Sequence, residues 1–237
     1  MKLVINEKFI QVRRKIAQIL MFSSLAVLVI GLIISLGREP SKVLYSYICL
    51  IIGFILSSIG MFFTTRYGRD PRYDELLNER FKSMRNDYTF YVFSSPVPYL
   101  LLGPCGFWIT PALTASGEIS YVNGKWQQKG GNFLMKLMGH ERLGKPEKDA
   151  GLLEADLRTF LEEKGIPPQD QPDVKVVYVR VLEQTKLGDL KEAPSLILDL
   201  KEVKRYIRQI DRESCTSPLT EEQTEKLTAA LESFSKR

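Results

Sequence analysis

The chain has 237 residues, and its lysines and arginines (33) outnumber its aspartates and glutamates (28), which gives a formal net charge of +5 and a pI of about 9.0. With 44% hydrophobic and 26% charged residues and a mean hydropathy of −0.10, the composition excludes a disordered chain, a collagen, a disulfide-dense scaffold and a multi-span transporter. The length allows one or two domains with a real core, and the positive charge leaves a nucleic-acid-binding protein open.

Two long uncharged runs in the first third of the chain predict an α-helical transmembrane hairpin. Residues 16–36 and 43–65 form runs of 21 and 23 residues without a charge. As helices these runs would be about 31 and 34 Å long, which matches a hydrocarbon core of about 30 Å. The first run is too long for a signal peptide, and no A-x-A-like cleavage site follows it. Residues 37–42 between the runs predict a tight external turn.

The charges that flank the two runs predict the orientation of the hairpin. Five cations precede the first run and three arginines lie in residues 66–72, a basic linker after the second run, whereas the turn contains only Arg38 and Lys42 beside Glu39. The positive-inside rule therefore places both termini and the following domain in the cytoplasm. Because neither run contains a charged residue, a transport pathway is not expected.

Two further features of the membrane region bear on its partners. The spacings Gly31-xxx-Ser35 and Gly53-xxx-Ser57 allow close helix approach, either between the two spans or with a second copy in a homo-oligomer. Residues 1–15 mix apolar and basic side chains. They predict a basic cytosolic lead-in, which would be either a short interfacial helix on anionic lipid or an irregular segment.

The net charge divides unevenly along the chain. Residues 1–72 hold ten cations and three anions, a net charge of +7, whereas the remaining 165 residues carry a net charge of −2. An acidic domain disfavours nucleic acid as a partner. A local basic strip on one predicted helix, Lys201, Lys204, Arg205 and Arg208, is either the solvated face of an amphipathic helix or a nucleic-acid contact.

Hydrophobic periodicity and turn signals predict an α/β domain over residues 73–237, with a mixed central sheet flanked by helices. The dipeptide Asn123-Gly124 is the strongest hairpin-turn signal in the chain, and Thr220-x-x-Gln223 predicts a helix capping box. The apolar segment 133–138 fits core packing, a lid helix or a second membrane-touching patch. The other predicted helices cover residues 73–84, 148–164 and 200–210, and the predicted strands cover residues 88–93, 98–102, 106–109, 118–122, 125–128, 174–182 and 196–198.

The usual catalytic and cofactor motifs are absent from the sequence. Cys49, Cys105 and Cys215 are scattered without a CxxC motif, which predicts neither a disulfide framework nor a zinc site and agrees with a reducing compartment. Cys105 has no base at a recognisable spacing, and His140 is the sole histidine, so both are expected to be structural or incidental. Gly130-Gly131 is not part of a phosphate-binding loop, and no cofactor is predicted.

Several motifs of residues 73 to about 232, taken in order, resemble the nuclease-related domain (NERD), a branch of the PD-(D/E)xK restriction-endonuclease-like fold. Asp74-Glu75 stands where the family has Gly-Glu, and residues 100–109 resemble its pair of hydrophobic strands joined by Gly-Pro-x-Gly. Gly117-Glu118-Ile119 resembles its Gly-x-Ile, Trp126 resembles its hairpin tryptophan, and residues 200–210 and 220–231 resemble its closing helices. A two-span anchor before such a domain also fits a membrane-anchored form of the family.

The resemblance implies a nuclease fold without the nuclease site. Such a site needs an Asp and a Glu that hold Mg²⁺ and a Lys that assists the attacking water. Aligned on Gly103-Pro104 and Gly106, these three positions fall on Pro98, Pro111 and Leu113, and only the first-helix acid, Glu75, is kept.

The expected function is therefore a catalytically inactive binding or scaffold domain at the cytosolic face, with an unknown protein partner. One alternative is a divergent Mg²⁺-dependent nuclease with a rearranged site drawn from Glu75, Glu79, Glu118 and Lys125. The other is a nucleic-acid binder without catalysis.

Overall fold

The computed structural model describes residues 1–37, 40–137, 141–213, 215 and 217–235. The chain forms two compact units, of which one is the continuous segment Glu7–Arg72. The other unit combines Met1–Asn6 with Tyr73–Arg237. The first unit is therefore inserted into the sequence of the second.

The segment Glu7–Arg72 is a helical hairpin. Helix α1 covers Glu7–Ser35, helix α2 covers Pro40–Phe63, and a π-helical turn follows at Thr64–Gly68. Both helices are long and apolar enough to cross a membrane, with mean hydropathies of 2.5 and 2.2 in their most apolar windows. Only 17% and 11% of those windows are buried, which is unlike a core helix of a soluble domain. Arg38 and Glu39 of the predicted turn lie outside the described residues.

Small residues lie at the contact between the two helices of the hairpin. A Cβ atom placed on Gly31 would come within 2.7 Å of Cys49 Cβ, so the helices approach closely there. Two serine hydroxyls cross between the helices: Ser24 Oγ donates to the Gly53 carbonyl at 2.8 Å, and Ser46 Oγ donates to the Gly31 carbonyl at 3.0 Å. Gly31 and Gly53 are thus used within one chain, which is the first of the two predicted alternatives.

The first residues of the chain differ from the predicted lead-in. Strand β1, Lys2–Ile5, pairs in parallel with β2, Thr89–Val92, and the residues from Glu7 onward form the first turns of α1 rather than an irregular segment. The terminal ammonium donates to Asn86 Oδ1 at 3.1 Å. The prediction of a separate 1–15 lead-in is therefore wrong, because the β2 edge supplies backbone partners from a distant part of the chain that local sequence does not reveal.

The main sheet is mixed, as predicted. Besides β1 and β2 it contains β3 at Tyr99–Gly103, β4 at Gly106–Ile109, β5 at Ala112–Leu113, β8 at Val174–Arg180 and β10 at Leu196–Asp199. Its strand order is β1-β2-β3-β4-β8-β10, and β5 also pairs with β8. The antiparallel pairs are β2–β3 and β3–β4, and the other pairs are parallel.

A second, three-stranded sheet contains the predicted hairpin. Strands β6, Gly117–Val122, and β7, Lys125–Lys129, are antiparallel and joined by Asn123-Gly124. Both turn residues have positive φ, 53° and 72°, as a tight type I′ turn requires. Strand β9, Thr185–Leu187, pairs in parallel with β6 and was predicted as loop. Its three residues are too few to show a periodicity.

Five helices complete the domain: α3 at Tyr73–Phe81, α4 at Phe133–Leu137, α5 at Pro146–Glu163, α6 at Val203–Glu213 and α7 at Glu221–Ser235. Leu157 and Leu161 of α5 and Leu231 of α7 pack with sheet residues such as Leu100 and Phe107 in one buried cluster. The capping box is confirmed, since Gln223 N donates to Thr220 Oγ1 at 3.2 Å and Thr220 N donates to Gln223 Oε1 at 2.9 Å.

Two large apolar side chains of the domain's helices lie at the surface. Leu152 of α5 is 53% exposed, and Phe133 of α4 is 78% exposed. The core-packing interpretation of segment 133–138 therefore fails for Phe133. Met138 and His140 lie outside the described residues.

Candidate functional site

The three positions to which the resemblance assigns nuclease chemistry have structural contacts. The Pro98 carbonyl accepts a hydrogen bond from Phe93 N at 2.9 Å, and the Pro111 carbonyl accepts one from Val179 N at 2.9 Å. Leu113 is 4% exposed, in a cluster that also holds Ile119. None of the three side chains can ligate a metal ion or transfer a proton.

The residues of the predicted rearranged site lie on separate elements. Glu75 and Glu79 are exposed on α3, whereas Glu118 and Lys125 are exposed on the β6–β7 hairpin. Lys125 pairs with Val122, four positions along β6 from Glu118. That offset corresponds to about 13 Å along the strand. Within the part of the chain that the structure describes, no three histidine, cysteine, aspartate or glutamate side chains form a group that could hold a metal ion.

A buried carboxylate fixes α6 to the main sheet. Asp211 is 8% exposed. It accepts hydrogen bonds from the Tyr88 hydroxyl at 2.6 Å and from Trp108 Nε1 at 3.0 Å. Burial, together with the hydrogen bond to Asp211, raises the pKa of Tyr88 above its ordinary value, so the phenol stays protonated and donates.

The sequence contained a weak signal for this buried acid. Val203, Ile207 and Asp211 recur every four residues along α6 and are all buried. The period places Asp211 on the inner face of the helix, where an unpaired carboxylate would be costly. Sequence alone does not identify its partners, because Tyr88 and Trp108 lie more than 100 residues away.

Two of the three cysteines form a disulfide. Cys105, in the turn between β3 and β4, is bonded to Cys215, just beyond α6, with a Cα–Cα distance of 5.6 Å. The prediction that the cysteines form no disulfide is therefore wrong. Their sequence separation of 110 hides the pairing, which arises because α6 returns the chain to the β3–β4 turn. Cys49, in α2, is a free thiol.

The outer face of α6 is strongly basic. Five cations and two further side chains line a shallow groove of about 570 Å³ along this helix: Lys201, Lys204, Arg205, Arg208, Gln209, Arg212 and Glu213. We call the five cations the α6 cation stripe. The inner face of the same helix carries the buried Val203, Ile207 and Asp211. The groove contains the basic strip that the sequence singled out and extends it to Arg212.

Comparisons with known proteins supply no relative. No protein-family model, no curated protein and no solved structure matches this chain.

Proposed function

We propose that this protein is a membrane-tethered, catalytically inactive binding or scaffold domain with a NERD-like, restriction-endonuclease-like fold. The proposal rests on the residues at the three expected catalytic positions. Leu113 is buried in a cluster of side chains from both sheets, and positions 98 and 111 are prolines. Where the resemblance expects two acids and a lysine, the chain has a core leucine and two prolines whose carbonyls accept backbone hydrogen bonds. These three positions therefore cannot supply the carboxylates and the lysine of the nuclease site that the resemblance implies.

The insertion of the hairpin into the domain supports the tethering part of the proposal. Residues on both sides of the hairpin, Met1–Asn6 and Tyr73–Arg237, belong to one folded unit. A hairpin of two spans returns the chain to the side from which it started, so β1 and β2 can pair without crossing the bilayer.

We place this domain on the cytosolic side, because the cations of residues 1–15 and 66–72 flank the spans. Disulfides such as Cys105–Cys215 are more common in proteins of oxidising compartments. In the cytosol this disulfide would form reversibly. Sidedness is measured with a membrane-impermeant maleimide on sealed right-side-out vesicles that contain a Gln127→Cys variant in a Cys49→Ser background. Protection until the vesicles are opened is expected. Labelling of intact vesicles would reverse the assignment.

A nuclease assay on the full-length protein tests the absence of catalysis. The purified protein is incubated with single- and double-stranded DNA and RNA in Mg²⁺ and in Mn²⁺, beside Glu75→Ala and Glu118→Ala variants. We expect no cleavage above a buffer control from any of the three proteins. Metal-dependent cleavage that either substitution abolishes would establish the divergent nuclease instead.

A further inference from the structure

We propose that the α6 cation stripe binds the anionic phospholipid headgroups of the membrane that holds the hairpin. This inference rests on the membrane tethering in the proposed function, and it names the partner of one surface of the domain. The stripe is formed by Lys201, Lys204, Arg205, Arg208 and Arg212, which all line the same groove.

The two faces of α6 have different characters. Val203 and Ile207 on the inner face are fully buried, so the helix cannot rotate without exposing core side chains. Asp211 further fixes the helix through Tyr88 and Trp108. The stripe is therefore held outward by the fold, as a preorganised surface for an anion.

Acidic neighbours neutralise little of this charge. Among the described residues, the stripe forms one ion pair, in which the Arg205 guanidinium lies 3.9 Å from the Glu202 carboxylate on the solvent-exposed surface. The Glu213 carboxylate accepts hydrogen bonds from the Gln209 amide rather than from a cation. The other acid of α6, Asp211, faces the interior. The groove thus presents concentrated positive charge on a domain whose own net charge is negative.

The composition of the groove favours headgroups over nucleic acid. Single-stranded nucleic acid is usually bound by cations together with aromatic side chains on which bases stack. The groove-lining side chains include no aromatic ring among the described residues, and the nearby Tyr206 ring packs edge-to-face on Trp108. A phosphate-bearing surface without bases matches these donors.

The short connections between the domain and the hairpin raise the effective concentration of headgroups around the domain. Only Asn6 separates β1 from α1, and residues 69–72 separate the π-helical turn from α3. The domain therefore stays near a surface of high headgroup density, where a weak electrostatic contact is populated. Each cation near an anionic surface strengthens association by about fivefold.

The test uses the full chain in vesicles, with an environment-sensitive fluorophore on Gln209→Cys in a Cys49→Ser background and a headgroup-attached nitroxide quencher in the lipid. With about one third phosphatidylglycerol in phosphatidylcholine, quenching should be at least about twofold stronger than in phosphatidylcholine alone. At about 1 M NaCl, where screening acts within about 3 Å, this difference should disappear.

A charge-matched pair of variants isolates the stripe. A variant in which glutamine replaces four cations of the stripe should lose the lipid-dependent quenching. The four are Lys201, Arg205, Arg208 and Arg212. The same substitution of four exposed lysines elsewhere, Lys125, Lys129, Lys186 and Lys191, should leave the quenching intact. Vesicle flotation and circular dichroism confirm that both variants are inserted and folded.

Three results would overturn the lipid proposal. The first is quenching that does not depend on anionic lipid in a protein that floats with the vesicles. The second is equal loss of quenching in both four-site variants. The third is that an oligonucleotide binds in a salt-sensitive way that requires the stripe, and that quenching is the same in both lipid compositions. This result would assign the stripe to nucleic acid. Each result leaves the proposed tethering and the absence of catalysis unchanged, because flotation and the nuclease assay measure those separately.

Discussion

The carboxylate of Asp211 and the hydroxyl of Tyr88 lie 2.6 Å apart, and this hydrogen bond connects the last turn of α6 to the residue that precedes β2. Trp108 Nε1 donates to the other carboxylate oxygen. The buried carboxylate depends on both neutral donors, because removal of either one leaves a carboxylate oxygen without a hydrogen bond in the interior, which costs free energy of folding.

Substitutions in this cluster are expected to be coupled. Asp211→Ala should lower the free energy of unfolding by about 2–4 kcal/mol, because it strands the Tyr88 hydroxyl and the Trp108 N–H. Tyr88→Phe should cost about 1–2 kcal/mol. Chemical unfolding of the purified full-length protein measures both, and the double variant should cost less than the sum of the two. Strict additivity would show that the 2.6 Å contact contributes nothing of its own.

The N-terminal strand offers a matched pair of substitutions. Val4 packs against the main core cluster, whereas its neighbour Leu3 is 38% exposed. Val4→Asp should therefore destabilise the domain by about 3 kcal/mol or more, because it places a charge against the core. Leu3→Asp should cost less than about 1 kcal/mol.

Amide hydrogen exchange of Thr89–Val92 in the full-length protein reports the pairing of β1 with β2. Val4→Asp should accelerate this exchange, and Leu3→Asp should leave it close to the wild-type rate. Equal effects of the two variants would mean that β1 does not pair with β2 in the register found here.

The disulfide should contribute to stability in proportion to the long loop that it closes. For a loop of about 100 residues, chain entropy predicts a stabilisation of about 4–5 kcal/mol. A reductant should lower the melting temperature of the wild-type protein and leave that of a Cys105→Ser/Cys215→Ser variant unchanged. If the reductant leaves the wild-type melting temperature unchanged, the disulfide is either absent or does not contribute to stability.

The ion pair at the end of β10 predicts a pH dependence. Burial alone would raise the pKa of Asp199, but hydrogen bonds from Lys201 N and from the Arg180 guanidinium outweigh it and hold the pKa below its ordinary value. A carboxyl whose pKa is lower in the folded state stabilises the fold above its unfolded pKa of about 3.9, and this stabilisation is lost as the pH falls through the folded pKa.

Asp199→Asn should therefore destabilise the protein near neutral pH and have a smaller effect in acid, as the pH falls from about 4 through the lowered folded pKa of Asp199. Unfolding measured across that pH range tests this expectation. A matched substitution of an exposed acid, Glu183→Gln, should change stability little at any pH. A penalty for Asp199→Asn that is the same at every pH would assign the role of Asp199 to shape rather than to charge.

Local sequence patterns determined much of the fold. The uncharged runs predicted both hairpin helices because an apolar surface of that length has few alternatives to a helix that could span a bilayer. Asn123-Gly124 predicted the β6–β7 turn because its positive φ angles suit these residues, and Thr220 and Gln223 predicted their reciprocal cap because both bonds form within one turn. Each of these features is decided by neighbours in sequence.

Only the tertiary structure decided the features that depend on distant partners. Lys2–Ile5 became a strand because the β2 edge, more than 80 residues away, offered it backbone hydrogen bonds. Cys105 and Cys215 formed a disulfide because α6 returns the chain to the β3–β4 turn, and Asp211 is buried because Tyr88 and Trp108 meet it there. The net charge of +5 likewise concealed both a basic helical hairpin and an acidic domain with one basic helix face, since a sum over the sequence contains no positions in space.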